Sequence, residues 1–143
     1  VMTDLDPLST AWSFATGINA AGQVIGQRRV TPDDGLRAFI WQDGVLTDLG
    51  TLGGQFSFPS AINAAGEVAG VSETAGGAAH AFLWKDGVMT DLGTLNGAGS
   101  RATAINDAGD VTGFALTGEG KTHAVLWLRA GKGHRAFLAQ VAR

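Results

Sequence analysis

Ser60-Ala61-Ile62-Asn63-Ala64-Ala65-Gly66-Glu67-Val68 leads through a loop to His80-Ala81-Phe82-Leu83-Trp84-Lys85-Asp86-Gly87, and this stretch recurs on both sides of itself. Ile18, Ile62 and Ile105 fall 44 and 43 residues apart, Trp41, Trp84 and Trp127 fall 43 and 43 apart, and Asp4, Asp48 and Asp91 fall 44 and 43 apart. A fixed period of about 20 to 50 residues is the mark of a repeat architecture, in which one unit cannot bury its apolar face alone. The 143 residues therefore read as one repeat domain, 1–143, in units of approximately 1–44, 45–87 and 88–143.

Four strands are predicted per unit. Strand D is Val1–Leu5, Val45–Leu49 and Val88–Leu92, alternating as a half-exposed strand does. A loop rich in Gly or Pro follows, carrying Trp12 in the first unit and Phe56 in the second. Strand A, Ser13–Asn19, Ser57–Asn63 and Ser100–Asn106, is made of small residues apart from its isoleucine, and Pro59 places it at a sheet edge because proline cannot donate to a ladder. The turn Asn19-Ala20-Ala21-Gly22 and its two copies then reverse the chain into strand B, Val24-Ile25-Gly26, Val68-Ala69-Gly70 and Val111-Thr112-Gly113. Strand C is apolar without alternation: Ala38-Phe39-Ile40-Trp41, Ala81-Phe82-Leu83-Trp84 and Ala124-Val125-Leu126-Trp127. Both of its faces should be buried, so it should lie between two layers. The pairs Asp43-Gly44 and Asp86-Gly87 are type I′ hairpin signals that turn C into D. The third unit departs here, with Leu128 to Gly133 before a last strand at Arg135–Val141 that suggests a specialised end.

The expected fold is all-β: three four-stranded antiparallel blades of a β-propeller, incomplete or completed by an oligomer, with a β-trefoil as the alternative. Chain length suits the trefoil; the doubly buried strand C and the small-residue strand A suit blades that stack and taper toward an axis. Propellers have about four to eight blades, so three imply a homo-oligomer or part of a longer propeller.

Composition narrows the function. Net charge is −3, charged residues make up 16%, and Lys and Arg are scattered singly except for Arg28-Arg29, which argues against nucleic acid as a partner. No cysteine is present, so there is no disulfide framework, thiolate nucleophile or Cys-based zinc site. No apolar run approaches the roughly 18 residues of a membrane helix. Val1-Met2-Thr3-Asp4-Leu5 matches Val88-Met89-Thr90-Asp91-Leu92, so the chain is expected to open inside a repeat, and it carries no signal-peptide pattern.

The units resemble the HAF repeat, named for His-Ala-Phe and seen here as His80-Ala81-Phe82 together with Asp-Leu-Gly-Thr-Leu, Ala-Ile-Asn-Ala-Ala-Gly and Phe-Leu-Trp. The resemblance spans nearly the whole chain. It implies a bacterial repeat of extracellular or cell-surface location and propeller-like build, and supplies no activity. Arg37 stands in place of the histidine in the first unit and Val125 in place of the phenylalanine in the third, so no ring of identical histidines is implied.

In such a meander the tight A–B and C–D turns share one end of the strands, and the variable B–C and D–A loops share the other, where binding is expected. Candidate ligand-binding residues at that end are Trp12, Phe56, Arg37, His80 and His123. The aromatics could form a platform for a sugar ring or a partner side chain, or plug the gap between blades. The histidines could serve a ligand, or make a hydrogen bond at a strand start; Arg37 cannot ligate a metal, and no metal or cofactor is expected. Asp48 and Asp91 share one repeated environment, which suits bonds to loop amides better than the unequal pair that acid–base catalysis needs. Asn106-Asp107-Ala108-Gly109-Asp110 lacks calcium-loop spacing, and no Ser-His-Asp grouping, nucleophile elbow or phosphate loop is present. The expected function is a non-catalytic extracellular scaffold that binds a protein or surface glycan through its loop-rich face. The alternative is a fragment of a propeller enzyme whose catalytic residues lie outside this chain.

Overall fold

A computed structural model describes residues 1–29, 31–129 and 137–141. Among them every regular element is a strand: β1 (Trp12–Ile18), β2 (Val24–Arg29), β3 (Arg37–Gln42), β4 (Val45–Gly50), β5 (Gly53–Ile62), β6 (Val68–Thr74), β7 (Ala79–Lys85), β8 (Val88–Asp91), β9 (Asn96–Ile105), β10 (Val111–Thr117), β11 (Thr122–Arg129) and β12 (Phe137–Val141). They form three four-stranded antiparallel meanders, β1 to β4, β5 to β8 and β9 to β12. Every ladder joins consecutive strands of one sheet, whereas a trefoil would pair strands of different units in a common barrel.

Each sheet runs in the order A, B, C, D. The units drawn from the period begin one strand too early, because the Asp-Gly hairpins tie each strand D to the strand C before it. Asp43 and Gly44 adopt φ of 50° and 87°, and Asp86 and Gly87 adopt 47° and 86°, as the type I′ turn requires. Val1–Leu5, expected as a strand D, is not a strand. Just after it, Asp6 meets Arg28 at 3.4 Å and the Ser9 hydroxyl donates to the Arg29 carbonyl. The expected last strand is present as β12 at Phe137–Val141, while Arg135 and Ala136 lie outside the described residues.

Strand A is an edge strand in all three sheets, and each copy carries a β-bulge at the same repeat position, Thr16, Ser60 and Thr103. A bulge bends the strand and deepens its twist. Strand B passes so close behind it that a Cβ on Gly70 would lie 2.0 Å from the Phe58 carbonyl oxygen, and Gly26 and Gly113 meet the same obstruction at 2.3 and 1.9 Å. The glycine of the Val-x-Gly motif is therefore a contact requirement.

The sheets pack face to face through two apolar cores. Ile25, Ala38, Ile40 and Leu49 of the first sheet meet Val68, Phe82 and Trp84 of the second. On the other side of the second sheet, Ala69, Ala81 and Leu83 meet Val111, Val125 and Trp127 of the third. All four apolar residues of the central strand C, Ala81 to Trp84, are buried, so that strand lies between two layers. Full burial of Phe82 alone removes enough apolar surface to contribute about 1.5 to 3 kcal/mol. In the described part of the third sheet's strand C, Val125 and Trp127 are buried while Ala124 and Leu126 are exposed.

Candidate functional site

The B–C end of the sheets carries the side chains singled out in the sequence. Phe56 was expected in a D–A loop but lies within β5, because strand A starts at Gly53, where Leu52 makes a bridge to Thr74. Trp12 likewise opens β1. Each begins an i, i+2 aromatic pair: Trp12 stacks on Phe14 with centroids 5.3 Å apart and planes 11° from parallel, and Phe56 meets Phe58 edge to face at 5.3 Å and 61°. At the corresponding places in β9 stand Gly99 and Arg101.

Where the second and third sheets converge, Phe56, Phe58 and Val71 face Arg101, Phe114 and Leu116 across a cleft of about 340 Å³. Phe56 and Phe58 are half-buried and Phe114 is exposed, so ring faces are available along its wall. The exposed Arg101 guanidinium makes no ion pair or side-chain hydrogen bond with any described residue. A fork of five donors beside apolar rings is suited to a ligand that has both a flat or apolar body and an anionic group. Arg101 and Phe58 stand at one repeat position, and only the comparison of copies, aromatic in two and cationic in the third, could have marked Arg101 in the sequence.

The other expected residues divide. Arg37 is turned to structure, its Nη1 donating to the Gln55 carbonyl beside Phe56. His80 leaves Nδ1 2.9 Å from Asp91, whose other oxygen accepts from the Gly93 amide at 2.8 Å; Asp48 accepts from Gly50 in the same way. Ser72 lies across the ladder from His80, which places serine, histidine and aspartate on neighbouring strands. The Ser72 hydroxyl is buried and donates to the Phe56 carbonyl while accepting from the Leu52 amide, so it makes no relay with the imidazole. His123 is exposed and lines a separate cleft of about 450 Å³ with Leu95, Asn96, Thr117 and Lys121. The structure thus brings Phe56 and Arg37 together through the Gln55 carbonyl, pairs His80 with Asp91 instead, and leaves Trp12 and His123 apart. No group of three metal-ligating side chains occurs among the described residues.

Comparison with protein-family models, with curated proteins and with solved structures gives no match.

The turn end has a polar centre that sequence reasoning missed. Glu67 is 1% exposed, accepts from Asn63 Nδ2 at 2.9 Å, pairs with the Arg129 guanidinium of the third sheet, and lies 3.8 Å from Lys85 Nζ. Burial pushes its carboxyl pKa up, but the Asn63 hydrogen bond and the charges of Arg129 and Lys85 outweigh that and hold it below the ordinary 4.5. Around it the asparagines form a ladder: Asn19 Nδ2 donates to the Asn63 carbonyl and Asn63 Nδ2 to the Asn106 carbonyl, both at 3.0 Å. The recurrence of Asn with Gln23, Glu67 or Asp110 four residues on was the available signal.

Proposed function

We propose that this chain is a non-catalytic repeat scaffold, its three sheets acting as propeller blades, that binds a protein or surface glycan through the end of the sheets where the B–C loops lie. The observation that carries the reading is the cleft between the second and third sheets, in which the Phe56, Phe58 and Phe114 rings flank Arg101, which pairs with no described residue. Sugar rings and partner side chains both stack on such faces, and a guanidinium selects those bearing carboxylate or sulfate. Separate sheets packed face to face, with small-residue strands at one edge, support the blade reading. The non-catalytic reading is supported by the engagement of the candidate acids and bases: Asp48 and Asp91 hold backbone amides, His80 holds Asp91, and Glu67 lies buried between cations. The extracellular or cell-surface placement is drawn from the resemblance to the HAF repeat.

An array of surface glycans and acidic peptides, probed with the wild type, Phe58→Ala and Arg101→Ala, tests the proposal. A wild-type hit lost in both variants supports the cleft. A hit that neither substitution weakens places binding elsewhere.

A further inference from the structure

The junction between neighbouring sheets is built twice in the chain, from the same parts. One sheet presents a donor face, Ile25 and Ile40 in the first junction and Ala69 and Leu83 in the second. The next sheet inserts an acceptor face led by a valine and a tryptophan, Val68 with Trp84 and Val111 with Trp127. Two kinds of hydrogen bond recur at both junctions: the asparagine ladder described above, and an amide of strand C to a serine hydroxyl of the next strand A, Ala38 to Ser57 at 2.9 Å and Ala81 to Ser100 at 2.8 Å.

In the third and the first sheet the same halves stand without partners among the described residues. The third sheet presents the donor positions as Thr112 and Leu126, the latter 38% exposed, beside a cleft of about 250 Å³ that these two form with Ala104, Ile105, Asn106 and Asp110. Thr112 and Leu126 stand at the repeat positions of Ala69 and Leu83, which share a core with Trp127 of the next sheet. The first sheet presents the acceptor positions as Val24 and Trp41, both half-buried, with Ser13 exposed at the place of Ser57 and Ser100. Leu5, at the repeat position of the core residues Leu49 and Leu92, is half-buried, and Asp6 is fixed to Arg28, while Val1 to Asp4 are exposed. β12 ends at Val141, opposite Val125.

We infer that two copies of this chain associate head to tail, the third sheet of one receiving Trp41 of the other in the Ile105–Thr112–Leu126 cleft, with Asn106 Nδ2 extending the asparagine ladder to the Asn19 carbonyl of the second copy. The contact joins unlike faces, so it closes only as a ring, of six sheets for two copies, or else propagates. It stands independently of the ligand cleft at the B–C end, whose residues it does not use.

The test is light scattering and sedimentation of the purified chain across a dilution series, beside Leu126→Glu on the donor face, Trp41→Ala on the acceptor face and Asn106→Ala on the ladder. The wild type is expected above 14.6 kDa. Leu126→Glu and Trp41→Ala should each weaken association about 30-fold or more, as loss of a buried hot spot does, with β-sheet circular dichroism unchanged. An equimolar mixture of these two variants should recover a heterodimer, since one intact junction remains between them. A wild type that stays at 14.6 kDa throughout, or a Trp41→Ala chain that associates as well as the wild type, overturns the inference.

Discussion

Asn63 spans the junction between the second and third sheets: one hydrogen of its side-chain amide goes to Glu67 Oε1 at 2.9 Å and the other to the Asn106 carbonyl at 3.0 Å, while its own oxygen accepts from the Glu67 amide. One buried side chain therefore closes its turn, satisfies a buried carboxylate and fastens two sheets. Asn63→Ala leaves that carboxylate short of a donor and the Glu67 amide without its acceptor. Its expected cost is about 2 to 4 kcal/mol, against about 1 kcal/mol for Asn106→Ala, whose turn is exposed. Urea midpoints of the two variants check the order.

Acid should act through Glu67. Its folded-state pKa is depressed, so the stability it contributes is fully present above the unfolded value near 4.5 and is lost as pH falls through the lower folded value. The unfolding midpoint of the wild type should drop steeply below about pH 4.5. Glu67→Gln should start lower at neutral pH, because Arg129 loses its counter-charge, and should flatten in that acid window. Parallel acid limbs in the two proteins would assign the loss to other carboxylates.

Much of this arrangement was legible in the sequence, and the parts that were not have physical causes. Periodicity places equivalent residues on equivalent strands, so the meander, the Asp-Gly hairpins and the doubly buried strand C of the central sheet could be read from composition and spacing, while Ala124 and Leu126, alike in sequence, are exposed. Phe56 was misplaced in a loop because Gly53 and Gly54 have poor strand propensity, which the packing of Leu52 against the core overrides. Glu67 went unnoticed because its partner Arg129 lies 62 residues away, in the third unit, where the repeat pattern has already broken down. The cleft could not be read because it forms between sheets, from residues that differ among copies.

The close approach of strands A and B gives a sharp test at Gly70. Gly70→Ala would set a methyl group 2.0 Å from the Phe58 carbonyl oxygen and 2.9 Å from the Phe82 ring, and backbone cannot swing aside as a side chain can. An overpacking cost of about 1 to 3 kcal/mol or more is expected. Gly44→Ala meets nothing within 4 Å and bears only the left-handed backbone, φ 87°, worth about 1 to 2 kcal/mol. Thermal midpoints should rank Gly70→Ala as the less stable, and a reversed order would mean that β5 yields outward at its edge.

The B–C end sets an exposed histidine–aspartate contact against a buried serine. His80 and Asp91 keep 22% and 42% of their side chains exposed, a setting in which such pairs are worth about 0 to 1 kcal/mol. Ser100 is 3% exposed, and its hydroxyl accepts from the Ala81 amide and donates to the Gly93 carbonyl, so Ser100→Ala strands two backbone groups at the junction. Its expected cost is about 2 to 4 kcal/mol, while His80→Ala should stay within about 1. Denaturant unfolding of both variants decides whether the histidine is part of what holds the sheets together. A His80→Ala chain as unstable as Ser100→Ala would make the imidazole a structural strut, and its place at the B–C end would then need no ligand to explain it.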